Sequence, residues 1–291
     1  MGTPLRKPPW LKIRLQNSRN FQELKELLSS SKLHTVCEEA RCPNVWECWE
    51  RRSATIMILG DICTRSCGFC AVKTGRPGAL DWDEPRRTAE AIARLGLRHC
   101  VLTSVDRDDL PDAGAAFWAE TIRVVREHNP QCTIEVLTPD FKGRPEWLEQ
   151  VFAARPDIMS HNLETVRRLH RKVRPQARYE RSLEVLRLSV QSGLLTKTAV
   201  MVGLGETDAE IFQLMEDVRA TGCQLFSIGQ YLQPTPKHLP VERYVPLEIF
   251  ERYREYGLQL GFTAVEAGPL VRSSYHADEQ ARLGLASRST A

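Results

Sequence analysis

Two hydrophobic patterns alternate along the chain. Short, continuous apolar runs such as Ala54–Gly60 are bounded by Gly, Asp or other polar residues. Between them lie longer segments whose apolar residues return every three or four positions. The first pattern predicts strands buried on both faces, the second amphipathic helices. In order, the pairs are a strand at 54–60 and a helix at 84–97, then 99–104 and 114–128, 132–138 and 145–154, 157–161 and 178–191, 197–203 and 208–220, 224–231 and 247–260. A last strand is expected at 262–266. Six βα repeats in succession predict an α/β fold, a parallel sheet covered by helices, here a partial (β/α)6 barrel of the TIM type.

Extensions flank this region. Residues 1–53 read as an N-terminal extension, 54–260 as the barrel and 261–291 as a C-terminal segment. The first twenty residues are basic and proline-bearing, an extended arm with Trp10 as its expected anchor. Phe21, Leu24, Leu27 and Leu28 give a helix at 20–29 with Asn20 as N-cap. In an α/β barrel, chemistry gathers at the C-terminal ends of the strands. The loops there are rich in functional groups: Thr103-Ser-Val-Asp-Arg-Asp-Asp109, His161-Asn-Leu-Glu-Thr165, Gly203-Leu-Gly-Glu-Thr207 and Tyr231-Leu-Gln-Pro-Thr235.

Composition narrows the classes. The 291 residues are 42% hydrophobic and 26% charged, ordinary for a globular protein. The formal net charge is +3 and the basic residues are dispersed, which argues against a nucleic-acid partner. No apolar run approaches the roughly 20 residues that cross a bilayer. The N-terminus has no apolar signal core, so a soluble, cytoplasmic protein is expected, with an organelle matrix left open.

Cysteine changes the picture most. There are nine, an odd number. Six form two triplets, Cys37-x4-Cys42-x5-Cys48 and Cys63-x3-Cys67-x2-Cys70. A structural zinc site closes its tetrahedron with four protein ligands. A triplet leaves one metal corner open, which iron–sulfur clusters tolerate. Thiols of a reducing compartment at such spacing read as metal ligands rather than disulfides. Cys100, Cys132 and Cys223 lie in apolar stretches, where a free thiol acts as a small hydrophobe. Trp46 and Trp49 are expected to pack in a core that shields the first triplet.

The second triplet resembles the cluster motif of the radical S-adenosylmethionine (SAM) superfamily. Five further features resemble the lipoyl synthase family: the first triplet, Cys-Thr-Arg-x-Cys-x-Phe-Cys at 63–70, Thr103-Ser-Val-x-Arg-Asp-Asp-Leu110, His161-Asn-Leu-Glu-Thr165 and Arg272-Ser-Ser-Tyr275. Lys197-Thr-Ala-Val-Met201 departs from the Lys-Ser-Gly-hydrophobic-Met of that family. The resemblance implies a sulfurtransferase with two [4Fe–4S] clusters. One, on Cys63, Cys67 and Cys70, would bind SAM and deliver an electron that cleaves it. The other, on Cys37, Cys42, Cys48 and Ser274 (or Ser273), would be consumed as sulfur source. Sulfur would enter at C6 and C8 of an octanoyl-lysine.

The implied partners are octanoylated lipoyl-carrier domains or a glycine-cleavage H-type protein, a flavodoxin or ferredoxin as electron donor, and an iron–sulfur carrier. Phe69 would lie against the adenine, and Arg272 would accompany Ser274. Asn162 and Glu164 suit ribose hydroxyls, while Gly203, Gly205 and Glu206 belong to a loop that lets backbone approach the cofactor. Thr103 and Ser104 either meet the methionine end of SAM or cap a strand. His161 reads as a hydrogen-bonded strand-end residue. Competing readings are another radical SAM enzyme acting on peptides or tRNA, biotin-synthase-like chemistry, and a zinc-stabilised binding protein with His34 as a fourth ligand.

Overall fold

The computed structural model describes residues 6–12, 19–51 and 53–289. Its chain divides into two compact units: residues 13–65 with 71–159, here the N-terminal unit, and residues 1–12 with 66–70 and 160–291, the C-terminal unit.

The N-terminal unit starts with α1 (Arg19–Ser30), β1 (His34–Thr35), α2 (Val36–Glu39) and α3 (Val45–Glu50). The βα alternation follows: β2 (Thr55–Ile58), a small pair β3 (Ile62–Cys63) and β4 (Lys73–Thr74), α4 (Glu84–Leu95), β5 (His99–Ser104), α5 (Ala115–His128), β6 (Thr133–Leu137), α6 (Pro145–Ala153) and β7 (Ile158–Ser160). The physical reasons are local. Every residue of β2 is buried, as a continuous apolar run requires. Pro85 enters α4 at its first turn and Gly96 ends it in a left-handed conformation, φ 63°.

The C-terminal unit continues with α7 (His170–Val173), α8 (Tyr179–Gln191), β8 (Leu195–Val202), α9 (Asp208–Arg219), β9 (Leu225–Gln230), α10 (Leu247–Gln259), β10 (Ala264–Gly268) and α11 (Ala277–Ser289). A capping box starts α9: the Thr207 hydroxyl accepts from the Glu210 N–H, and the Glu210 carboxylate accepts from the Thr207 N–H. The core of this unit gathers Leu163, Val200, Val202, Phe226, Ile228 and Tyr253, with Phe69 packed against it.

In the N-terminal unit the strands follow the order β1-β2-β5-β6-β7, with β1 antiparallel to β2 and β2, β5 and β6 parallel; in the C-terminal unit the order is β8-β9-β10, all parallel. All six predicted βα repeats and the terminal strand are present, so the expected α/β class holds. Among the described residues no helix is long and apolar enough to cross a membrane.

Two local expectations need correction. Asn20 lies inside α1 rather than capping it, and its amide donates to the Glu50 carbonyl at 3.0 Å. Trp10 is 40% exposed, whereas the adjacent Leu11 is buried. The C-terminal segment also carries α11, whose amphipathic pattern is weak.

Candidate iron–sulfur and cofactor sites

In the N-terminal unit, two short helices present the first triplet. The Thr35 hydroxyl caps α2 by accepting from the Glu38 N–H at 3.3 Å. Arg41, in a left-handed conformation (φ 53°), turns the chain, and the Cys42 N–H returns to the Cys37 carbonyl at 3.0 Å. Within α3, the Cys48 N–H donates to the Asn44 carbonyl at 2.9 Å. Cys37, Cys42 and Cys48 thereby join one apolar cluster with Leu24, Leu27, Leu28, Leu33 and Trp49. Burial first, then the neighbouring Cys42, pushes both the Cys37 and Cys48 thiols up to about 12. The three sulfurs therefore sense one another in a poorly solvated pocket, where free thiolates are disfavoured and a polynuclear cation would stabilise them. Trp46 stacks on Phe21 at 4.3 Å, and Trp49 is wholly buried, the core packing expected of them. His34 instead faces Glu39 at 3.7 Å and groups with Asp61.

The second triplet starts where β3 pairs with β4. Cys63 lies opposite Thr74, and its carbonyl accepts from the Gly75 N–H at 3.0 Å. Its sulfur receives the N–H of Arg65 at 3.4 Å and of Asp106 at 3.3 Å. The Arg65 side chain is buried and surrounded by carboxylates: two hydrogen bonds to Asp108 at 2.7 and 2.9 Å, one to Asp140 at 2.7 Å, and Asp106 at 3.2 Å. Burial opposes the guanidinium charge, but Asp108, Asp106 and Asp140 outweigh it and raise its pKa. Thr64 completes the join, its hydroxyl donating to the Asp106 carbonyl and accepting from the Asp108 N–H. Arg107 turns the other way, onto Asp109 and the Gly78 carbonyl. Thus Cys-Thr-Arg and the Asp-rich loop after β5 are two halves of one electrostatic clasp.

Cys67 and Cys70 belong to the C-terminal unit. There the Gly68 N–H donates to the Val173 carbonyl at 2.9 Å, and the Gly68 carbonyl accepts from the Leu239 N–H at 3.0 Å. A Cβ on Gly68 would stand 2.9 Å from the Leu239 side chain, so any larger residue requires that side chain to shift. The Cys70 carbonyl meets His238 Nε2 at 2.9 Å, and His238 Nδ1 meets the Thr235 hydroxyl at 2.8 Å.

The strand-end loops divide in their behaviour. Asn162 donates to the Glu164 carboxylate at 3.0 Å, while its own Oδ1 is buried with no partner among the described residues. Glu164 adopts φ 68°, and burial raises its carboxyl against the pull of Arg174, Asn162 and Arg272. These groups form one polar cluster with an acceptor to spare. By contrast, Glu206 turns back on its own loop, accepting from the N–H groups of Gly203 and Leu204 at 2.6 and 2.9 Å. Gly203 (φ 102°) leaves no room for a Cβ, which would lie 2.1 Å from Gln230 Nε2; Gly205 has φ 107°. The Thr103 hydroxyl donates to the Leu137 carbonyl, and Ser104 accepts from the Trp118 indole N–H. His161 pairs with Ser182 at 3.0 Å, the hydrogen-bonded strand-end role expected of it. Arg272 and Tyr275 close a turn, Tyr275 N–H to Arg272 carbonyl at 3.0 Å, with Ser273 and Ser274 partly exposed at its centre.

Sequence reasoning left Thr64, Arg65, Asp106, Asp108, Asp140 and His238 without individual roles. A buried, charged Arg needs counter-charge, and the Asp-rich loop was the available signal.

The family model of the Radical SAM superfamily matches residues 57–218, and that of the N-terminal domain of lipoyl synthase of the Radical_SAM family matches residues 1–42. A lipoyl synthase of Rubrobacter xylanophilus is 56% identical over 276 residues, covering 94% of this chain and 86% of that protein. The chain belongs to the lipoyl synthase family. Another member, from Bacteroides fragilis, is 55% identical over 278 residues and 96% of each chain. Among solved structures, methylornithine synthase (PylB) aligns with a TM-score of 0.55 at 15% identity, over 85% of this chain and 70% of that one. HydG, a maturase of the [FeFe]-hydrogenase, aligns at 0.53 and 14%, over 91% and 65%. At such identities these two speak for the radical SAM fold alone. Membership of the lipoyl synthase family makes the chain a radical SAM, sulfur-inserting enzyme, and it displaces the zinc-protein, biotin-synthase-like and peptide- or tRNA-modifying readings.

Proposed function

We propose that this enzyme inserts sulfur at C6 and C8 of an octanoyl group held on a lysine of a lipoyl-carrier domain or H-type protein. In this reading Cys63, Cys67 and Cys70 hold a [4Fe–4S] cluster that binds SAM, and Cys37, Cys42, Cys48 and Ser274 hold a second, sulfur-donating cluster. Bound there, the clusters and SAM supply a hydrogen-abstracting radical and the inserted sulfur.

The protein's own groups position and shield. Arg65 is the fixed point of the Cys63 strand, and the two backbone N–H groups on Cys63 favour a charged sulfur. Gly68 and His238 hold the segment carrying Cys67 and Cys70. Phe69 is assigned to the adenine face, and the Asn162–Glu164 pair, with its spare acceptor, to the ribose hydroxyls. Thr103 and Ser104, already hydrogen-bonded in the fold, approach the methionine end through their remaining lone pairs. Gly203, Gly205 and Glu206 are assigned to cofactor contact through the loop backbone that Glu206 holds rigid. Arg272 carries positive charge beside the serine turn. Residues 1–53 and 261–291 serve as extensions of a radical SAM core at 54–260.

The carrying observation is the first triplet, three cysteines in one apolar cluster, with the Cys37 and Cys48 thiols raised by burial and then by the neighbouring Cys42. We assign a flavodoxin or ferredoxin as electron donor, an iron–sulfur carrier as supplier, and the cytoplasm as compartment. The test is iron and acid-labile sulfide per chain after anaerobic reconstitution, for wild type and for the Cys37/Cys42/Cys48→Ala variant. About eight iron falling to about four supports two separable clusters. An octanoyl-lysyl peptide with SAM should then yield the dithiol by mass spectrometry. Zinc without labile sulfide defeats the assignment.

A further inference from the structure

Basic residues are spread over the whole chain, yet on the two stretches beside Cys67 and Cys70 they stand without interleaved acids. Both stretches belong to the C-terminal unit and hold the cysteine segment between them. From one, the Val173 carbonyl accepts from the Gly68 N–H at 2.9 Å, and Gln176 bonds Ser66 twice, at 3.0 and 3.4 Å. From the other, the Leu239 N–H donates to the Gly68 carbonyl at 3.0 Å, and His238 meets the Cys70 carbonyl. Residues 66–70, 169–179 and 232–241 contain no Asp or Glu. Their cations differ in how they are used. Arg174 is buried and donates to the Asn162 carbonyl, and Lys172 lies 3.7 Å from Glu242. Arg171, Arg178 and Lys237 are exposed, and their side chains make no hydrogen bond or ion pair among the described residues.

We infer that Arg171, Arg178 and Lys237 are the docking face for an acidic one-electron carrier protein, which seats its redox group beside Cys67 and Cys70. This rests on the reading that Cys63, Cys67 and Cys70 hold a [4Fe–4S] cluster, and it gives the flavodoxin or ferredoxin assigned above a place to bind. The carrier loses one electron and the cluster gains it, with no proton or group transferred. Such encounters are weak and use small interfaces, so steering by charge matters more than buried area. Three unquenched cations, on the two stretches that hold the cysteine segment, set up an attractive field where the electron must enter. Charges already committed to ion pairs supply little of it. A flat, charged face without a deep pocket also suits a partner that must leave once it is oxidised.

The test compares the full, reconstituted chain with its Arg171→Glu/Arg178→Glu/Lys237→Glu variant. A control, Lys25→Glu/Arg94→Glu/Arg98→Glu, makes the same change in net charge at exposed positions of the N-terminal unit. Binding of an oxidised acidic flavodoxin and of an oxidised acidic ferredoxin is measured at about 30 mM and about 0.3 M salt, across which the screening length shortens about threefold. SAM cleavage is then followed with each reduced carrier, and separately with dithionite, which needs no docking face. For at least one carrier, wild-type affinity should weaken at least about tenfold at high salt. The variant should lose at least about tenfold in low-salt affinity and in carrier-driven cleavage, while dithionite-driven cleavage matches wild type. The control should match wild type throughout. An equal loss in the control, or undiminished carrier-driven cleavage in the variant, overturns the inference. So does the absence of salt-dependent binding of both carriers to wild type, a result that misfolding of the variant cannot mask. A variant that binds the carriers normally but an octanoylated lipoyl-carrier domain weakly gives the face to the substrate and overturns it too. No cleavage by wild type even with dithionite overturns the cluster reading itself, a failure kept distinct because binding is measured without turnover.

Discussion

The guanidinium of Arg65 grips the carboxylate of Asp108 through two hydrogen bonds, of 2.7 and 2.9 Å, forty-three residues away in sequence. A third bond reaches Asp140, which is fully buried. Replacing Arg65 by Ala would leave that carboxylate without its cation. Loss of one partner from a buried pair costs about 3–5 kcal/mol. Arg65→Lys keeps the charge but not the fork, so a smaller loss is expected. Denaturant unfolding of the metal-free, reduced protein should rank wild type above Lys and Lys above Ala. Iron bound by the second triplet should fall in the same order. Equal stability of all three would remove Arg65 from its positioning role.

His170 gives the protein a definite acid sensitivity. Burial first, then the nearby Arg174, depresses its pKa from 6.5 to about 4. Its ring packs edge-on to Tyr179 at 5.9 Å. Above pH 6.5 both folded and unfolded states hold it neutral. As pH falls from 6.5 toward 4, the unfolded chain takes up a proton that the folded one refuses, so stability is lost. A shift of that size corresponds to about 3 kcal/mol. His170→Phe should remove that loss, so the wild-type minus variant unfolding free energy should fall by about 2–3 kcal/mol between pH 7 and 4.5. Parallel pH curves would show that His170 is not the sensitive group.

How much of this was legible in sequence depends on the range of the interactions. The βα repeats rest on local periodicity, and Thr55–Ile58 or Leu195–Val202 appear within a residue or two of expectation. The cysteine spacings were local too. The helix N-cap at Asn20 failed because Asn20 is recruited by the Glu50 carbonyl, thirty residues away. The glycine loop at 203–205 looked built for ligand approach, yet Gly203 is also required by Gln230 and Arg243 of the same unit. The Arg65 clasp was hidden for the same reason. Its partners lie 41 to 75 residues along the chain, at the ends of other strands, where only folding reveals which Asp meets which Arg.

Gly229 marks a second tight passage. It pairs with Gly268 where β9 and β10 end, and a Cβ there would lie 1.9 Å from the Val271 carbonyl oxygen. Backbone cannot rotate away as a side chain can. Gly229→Ala should therefore shift the segment leading into Arg272–Tyr275, with about 1–3 kcal/mol lost to overpacking. Dithiol formation should fall at least tenfold while helix content by circular dichroism is retained. Gly78→Ala, where a Cβ meets nothing within 4 Å, is the control and should be silent. A fully active Gly229→Ala would mean that the serine turn tolerates displacement.

The turn itself carries the last prediction. Ser273 and Ser274 occupy its centre, between the Arg272 carbonyl and the Tyr275 N–H that close it. A serine oxygen matches iron less well than a thiolate, so an iron held by Ser274 is the one most easily released when sulfur leaves the cluster. Ser274→Cys should retain iron and sulfide at the wild-type level, because thiolate ligation is stronger. Yet it should form the dithiol at least tenfold more slowly and accumulate the singly thiolated peptide. Ser273→Cys should behave as wild type. The comparison is read by single-turnover mass spectrometry alongside iron content. If Ser274→Cys turns over normally while Ser273→Cys is slowed, the ligand is Ser273; if neither is slowed, release of iron does not limit sulfur transfer.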